Sequence, residues 1–235
     1  VPTPVPEIII KEIEVVKEVP VEIVVTATPT PESPSMAASP VAIETINYFF
    51  EIAFGAEYDC EGECASVIHK WNNDLRIKVS GEPTPEDLET LQQVIVELND
   101  LLTTISLEIV DSQENVEFFF IPMSEFESID PDYLPENWGQ FQVWISNNVI
   151  WKARILIASI GLSQIERSHL IREELTQSLG LMIDSYSYPQ SVFQQAWTET
   201  VQYAPIDKAL IKLLYDPRLD AGMSRFEIEN ILARQ

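Results

Sequence analysis

Apolar positions along residues 41–235 alternate between stretches spaced as in a helix and stretches spaced as in a strand. Val41 to Phe54 carries Ala42, Ile46, Phe49, Phe50 and Ala53 at helical spacing, with Gly55 placed to close the helix. Leu75 to Val79 alternates apolar and polar as a strand does. Thr84-Pro85-Glu86-Asp87 joins a cap, a first-turn proline and two early acids, and so starts a helix. Its expected buried stripe is Leu88, Leu91, Val94, Ile95, Leu98, Leu101 and Leu102. Ile105 to Val110 and Val116 to Ile121 read as strands, and a polar, proline-bearing loop runs from Pro122 to Asn137. Gln140 to Ser146 and Val149 to Ala158 then form a hairpin around Asn147-Asn148. The remainder is helical. Ser163 with Glu166 makes a capping box for a helix running to about Leu179 and closed by Gly180. Pro205 opens another, with Ile206, Leu210, Leu213 and Leu214 as its stripe and Asp216-Pro217 as its stop. Ser224 with Glu227 caps a short last helix. Strand, helix, strands and then helices is the order of an α+β domain rather than a doubly wound sheet.

Residues 1–40 have a different composition. They hold 8 of the 16 prolines, and Val1 to Pro6 and Thr26 to Pro40 are rich in Pro, Thr, Ser and Ala. Such ends stay extended and solvated. Between them, Glu7 to Val25 mixes β-branched residues with Glu and Lys, and Pro20 argues against a long helix there. The expected organisation is a Pro-rich stalk over 1–40 and one domain over 41–235. By composition the stalk resembles those that follow the lipidated cysteine of bacterial surface lipoproteins. That resemblance implies an extracytoplasmic, surface-tethered or secreted protein. The chain starts at Val1 rather than Met, which reads as a processed product with any signal peptide or anchoring cysteine upstream.

Charge narrows the function classes. With 38 acidic and 14 basic residues the formal net charge is −24, which repels phosphate backbones and argues against a nucleic-acid partner. No apolar run reaches the ~18 residues a membrane span needs. Cys60 and Cys64 have a spacing that permits a disulfide. Two small buried thiols, or a metal site completed by His69, are the other readings. Trp138, Trp144 and Trp151 fall around the predicted hairpin, as core and platform residues or as a carbohydrate-stacking surface.

One segment carries a chemical signal, the run from His169 to Asp184. Set against the zinc-protease pattern H-E-x-x-H-x-x-G, Glu173 stands at the first histidine, Glu174 at the general base, Gln177 at the second histidine and Gly180 at the helix-ending glycine. In that motif the first and fifth positions share a helix face and hold the metal, while the intervening Glu activates metal-bound water. On a helical wheel Glu174 falls between Leu170 and Ile171 inside the apolar arc, whereas Glu166, His169, Glu173 and Gln177 share the polar side. A carboxylate among leucines must be paired, hydrogen-bonded or protonated. Glu174 is therefore either a catalytic remnant or a structural buried acid. The polar side is either a solvated helix face or the lining of a cleft.

Only two histidines exist, His69 and His169, so a three-histidine zinc site is impossible. Glu173 and Gln177 coordinate through oxygen, which suits Ca²⁺, Mg²⁺ or Mn²⁺ better than Zn²⁺. No G-x-S-x-G elbow and no phosphate-binding glycine loop occurs.

Four stretches, Trp71 to Gly81, Arg172 to Ser185, Tyr188 to Phe193 and Leu213 to Met223, together resemble a bacterial family of unknown function, the one numbered twenty-nine twenty-seven. The resemblance implies a secreted domain with a metzincin-like protease fold, in which a Glu-Glu-x-x-Gln helix stands where the histidine motif would be. The third metzincin ligand would fall at Ile183, which cannot coordinate, and Asp184 follows it. The expected function is a non-catalytic module binding a peptide or protein in the former substrate cleft. The alternatives are an active metal-dependent hydrolase with Glu174 as general base, using a divalent metal, and a structural cell-envelope domain.

Overall fold

The computed structural model describes residues 42–54, 66–135 and 137–233. The expected stalk and the Cys60/Cys64 pair lie outside these residues, as does Gly55.

Alternating apolar residues build one mixed sheet. Its strands are β1 (Lys70–Trp71), β2 (Leu75–Gly81), β3 (Leu107–Ile109), β4 (Val116–Ile121), β5 (Gly139–Ser146) and β6 (Val149–Ala158). The order is β3-β2-β4-β6, all parallel, with β1 extending the β4 side at the start of β6 and β5 pairing antiparallel along the other side of β6. The hairpin joining β5 to β6 turns at Asn147 and Asn148, whose φ values of 51° and 65° are those of the tight turn that Asn-Asn favours. A bulge between Trp144 and Ile145 leaves Trp151 as the extra residue on β6.

Helices lie on both faces, most of them on one. They are α1 (Ile43–Ala53), α2 (Pro85–Leu101), a one-turn α3 (Phe126–Ile129), α4 (Gln164–Gln177), α5 (Pro205–Leu214) and α6 (Arg225–Leu232). Ile77, Val116, Ala153 and Ile155 from the sheet join Leu91, Val94, Ile95 and Leu98 of α2 and Ile171 and Leu175 of α4 in one core. A smaller cluster on the opposite face, Ile121, Phe126, Leu156 and Ala158, is capped by α3. This is the expected class: an α+β domain with a mixed sheet, a long early helix, a motif-bearing helix and C-terminal helices.

Three sequence expectations are corrected in detail. Leu88 is 40% exposed, because Asp87 takes the inward position in the first turn of α2 and is fully buried. Asp87 closes the capping box with Thr84 and accepts hydrogen bonds from Arg167 Nε at 3.0 Å and Gln164 Nε2 at 2.9 Å, locking the starts of α2 and α4 together. The loop after β4 is not structureless: Met123–Glu125 is a 3₁₀ turn running into α3. The three tryptophans do not form one cluster, since Trp138 packs on the core while Trp144 and Trp151 lie on β5 and β6.

Candidate functional site

The site is built on α4. Ser163 and Glu166 cap its start reciprocally, and Glu166, held by the Ser163 backbone and hydroxyl, keeps its carboxyl below the usual range. Its end is closed by other elements. Trp71 Nε1 donates to the Ser178 carbonyl at 2.9 Å and the Tyr215 hydroxyl to the Leu179 carbonyl at 2.8 Å, satisfying groups that a helix end leaves open. Gly180 turns the chain at φ +116°, where a Cβ would stand 2.0 Å from the His69 carbonyl oxygen. His69 is thus placed at the end of the motif helix.

Beyond Glu166 in its first turn, the polar side of α4 does not face solvent, which corrects the solvated-face reading there. His169 is 2% exposed and Gln177 3%. The chain between α4 and α5 folds over them. His169 Nδ1 lies 2.8 Å from the Thr200 carbonyl oxygen, and Nε2 lies 3.2 Å from Glu173 Oε2. Both partners are acceptors, so the ring satisfies both only as imidazolium. Burial works against that charge, but the Glu173 carboxylate outweighs it and raises the His169 pKa. Trp197 meets the His169 ring edge-on at 6.3 Å and is itself 56% exposed.

One turn on, Gln177 Nε2 donates to Asp184 Oδ1 at 2.6 Å. On the side of α4 facing α2, the fully buried Arg172 pairs with Glu97 and stacks over the Tyr203 ring at 4.4 Å. Thr176 Oγ1 and the Tyr203 hydroxyl are 2.6 Å apart.

The structure therefore brings His169, Glu173, Gln177 and Asp184 together. It places Glu174 elsewhere. That residue is 6% exposed and lies under the first residue of β5, where a Cβ on Gly139 would meet its Oε1 at 2.7 Å. Arg167, which points toward Glu174 along the wheel, instead binds Asp87.

Sequence periodicity could not reach Glu51, Ser185, Ser187, Trp197, Thr200 and Tyr203. All but Glu51 sit in the non-repetitive 184–204 segment. Glu51, on α1, accepts hydrogen bonds from the hydroxyls of Ser185 and Ser187. The same segment, with Gln190, Thr200, Gln202 and Pro205, lines a cavity of about 430 Å³.

A zinc ion does not fit these residues. Glu173 is engaged by His169, the Gln177 amide faces Asp184 as a donor, and Ile183 offers no ligand. Among the described residues no three His, Cys, Asp or Glu side chains converge on a metal position.

The geometry defines a class: a mixed α/β domain whose helix α4 carries carboxylate, amide and imidazole groups, with His169 locked to Glu173 and Gln177 to Asp184. The chain belongs to the family described as "Protein of unknown function (DUF2927)", which it matches over residues 43–234. No curated protein matches it. Among solved structures it is similar to a structure of myroilysin at 14% identity and a TM-score of 0.43, covering 64% of this chain and 97% of that one. A crystal structure of myroilysin is similar at 15% identity and a TM-score of 0.32, covering 79% and 70%.

Proposed function

We propose that this domain is a non-catalytic peptide- or protein-binding module held outside the cytoplasm by its N-terminal stalk. The observation that carries the reading is the free edge of β5. Among the described residues Gly139–Ser146 pairs with β6 alone, so its other edge offers a row of backbone donors and acceptors. That edge begins directly over Glu174 of α4. An extended peptide adds to such an edge as a further strand, with main-chain hydrogen bonds giving affinity and alternate side chains giving selectivity. The motif positions support binding over catalysis, because each potential ligand group is committed to a neighbour and Glu174 is buried beneath a backbone.

Panning a displayed peptide library against the full chain, followed by amide hydrogen exchange on the complex, tests this. Slowed exchange across residues 139–146 is the expected result. Protection confined to other elements, or the absence of any binder, rejects the edge-pairing reading. Digestion of a broad peptide library, abolished by Glu174→Gln, rejects the non-catalytic reading. The tethered location rests on the composition of residues 1–40, and fatty-acid labelling of the protein in its native host tests it.

A further inference from the structure

The strand register gathers cations that the sequence scatters. On the sheet face opposite α2 and α4, one row across the strands reads Glu108, Arg76, Lys152, Trp144, with Asn115 just ahead of β4 between Arg76 and Lys152. The next reads Lys78, Glu117, Arg154, Gln142. Four of the chain's 14 basic residues thus lie side by side, facing three carboxylates once Glu114 beside Lys78 is counted. In a protein with 38 acidic residues this reverses the overall balance. The rows are not covered as the next one is, where Phe119 and Leu156 pack under α3.

The cations share too few acids. Glu117 Oε2 alone receives Lys152 at 3.0 Å and Arg154 at 2.9 Å, and Lys78 stands 3.5 Å from Glu114 with its side chain 43% exposed. Lys152 and Arg154 also lie 5.1 and 5.4 Å from the centre of the Trp144 ring. At the end of the face Trp151, the extra residue of the β6 bulge, is 53% exposed and stands directly before Lys152 in the strand.

We infer that this open sheet face binds an acidic carbohydrate chain, in which uronate carboxylates meet Lys78, Lys152 and Arg154 while a sugar ring stacks on Trp151. Arg154 is held in place by Glu117 and by the Ile129 carbonyl, while the Lys78 and Lys152 side chains are 43% and 29% exposed. A face bearing Trp, Asn and Gln beside such cations matches a ligand that is hydroxyl-rich, ring-shaped and anionic. The long-range repulsion from the net negative charge is screened within about 8 Å at physiological ionic strength, so the local cations decide the contact. This face lies on the opposite side of the sheet from α4, and the inference is independent of the peptide-binding reading.

The test is affinity electrophoresis of the full chain in gels containing polygalacturonate, its methyl ester or polyglutamate. Retardation by polygalacturonate alone is expected, weakened about fivefold by Lys152→Gln and by Trp151→Ala. Glu117→Gln removes the competing carboxylate and is expected to strengthen retardation, an effect that simple structural damage would not produce. Lys78→Gln, at an exposed position, keeps the test valid if another variant misfolds. No retardation by polygalacturonate overturns the inference. So does equal retardation by the methyl ester, which shows that charge is not read, or by polyglutamate, which shows that the sugar is not read. Retardation unchanged by the substitutions overturns it as well.

Discussion

Glu173→Gln tests the imidazolium at the centre of the motif. In the folded protein His169 bridges the Thr200 carbonyl and Glu173, and its side chain is 3% exposed. Its pKa is raised above the ordinary value of about 6.5. A raised histidine value means that the folded state binds the proton more tightly. The charged bridge therefore stabilises in full below about pH 6.5 and loses its effect as pH rises through the folded value. A hydrogen bond between two charged, buried groups is worth about 1.5–3 kcal/mol. Glu173→Gln keeps the shape but removes the charge, so it is expected to destabilise by about that amount at pH 5.5. At high pH the wild type holds a carboxylate against a neutral ring, whereas the Gln amide can donate to Nε2, so the difference vanishes or reverses. Urea unfolding at half-unit steps from pH 5 to 9, with His169→Gln and the double variant completing a cycle, measures the coupling directly. A coupling energy that does not change with pH, or a His169 proton resonance that titrates alike in wild type and Glu173→Gln, refutes the argument.

Other consequences are simpler to read. Gly180→Ala brings a methyl group against the His69 carbonyl at a backbone angle that disfavours side chains, and is expected to cost about 2–4 kcal/mol in thermal or urea unfolding. Asp87→Ala removes a fully buried carboxylate from Arg167 and the α2 cap, and is expected to cost about 3–5 kcal/mol at pH 7. Burial raises the Asp87 pKa, but the hydrogen bonds from Thr84, Gln164 and Arg167 outweigh it and hold the value below normal. Its contribution is thus complete above about pH 4 and fades as pH falls through the folded value, so wild type and Asp87→Ala converge in acid urea titrations.

Much of the frame was legible because it obeys local rules. Val116–Ile121 and Val149–Ala158 have the bounds that their alternation predicts, and the capping pairs Thr84/Asp87, Ser163/Glu166 and Ser224/Glu227 mark helix starts in sequence and structure alike. Glu174 was singled out by its place among leucines, and it is buried. The failures share a physical origin. The wheel placed His169 and Gln177 on a polar side but could not show that residues 184–204 cover it, because that coil has no periodicity to read. Leu88 was assigned inward by spacing alone, whereas a hydrogen-bonding network gave Asp87 the inward position. The cation-bearing face emerges only when β2, β4, β6 and β5 are aligned, since its cations come in two pairs, Arg76 with Lys78 and Lys152 with Arg154, from strands on either side of β4.

The covering segment offers a last test of whether the Glu-Glu-x-x-Gln positions of α4 work as a fastener. Residues 184–204 are tied to α4 by Gln177 to Asp184, His169 to Thr200 and Thr176 to Tyr203, with Arg172 stacked on the Tyr203 ring. From the other side Asp207 of α5 accepts hydrogen bonds from Ser191 Oγ, Val192 N and Ala204 N. Gln177→Ala removes the first tie and leaves Asp184 without that donor. The bond is to a charged group, so about 1.5–3 kcal/mol of local stability is at stake. Because the other ties remain, the loss is expected to appear as local opening rather than global unfolding. Amide exchange within 184–190, nearest Asp184, should quicken about tenfold or more, while β4 and α2 amides keep their wild-type rates. Uniform acceleration would mean that Gln177 supports the core as any buried side chain does. An unchanged segment would mean that the Asp207 network holds it alone, and that the Glu-Glu-x-x-Gln positions are not what fastens it.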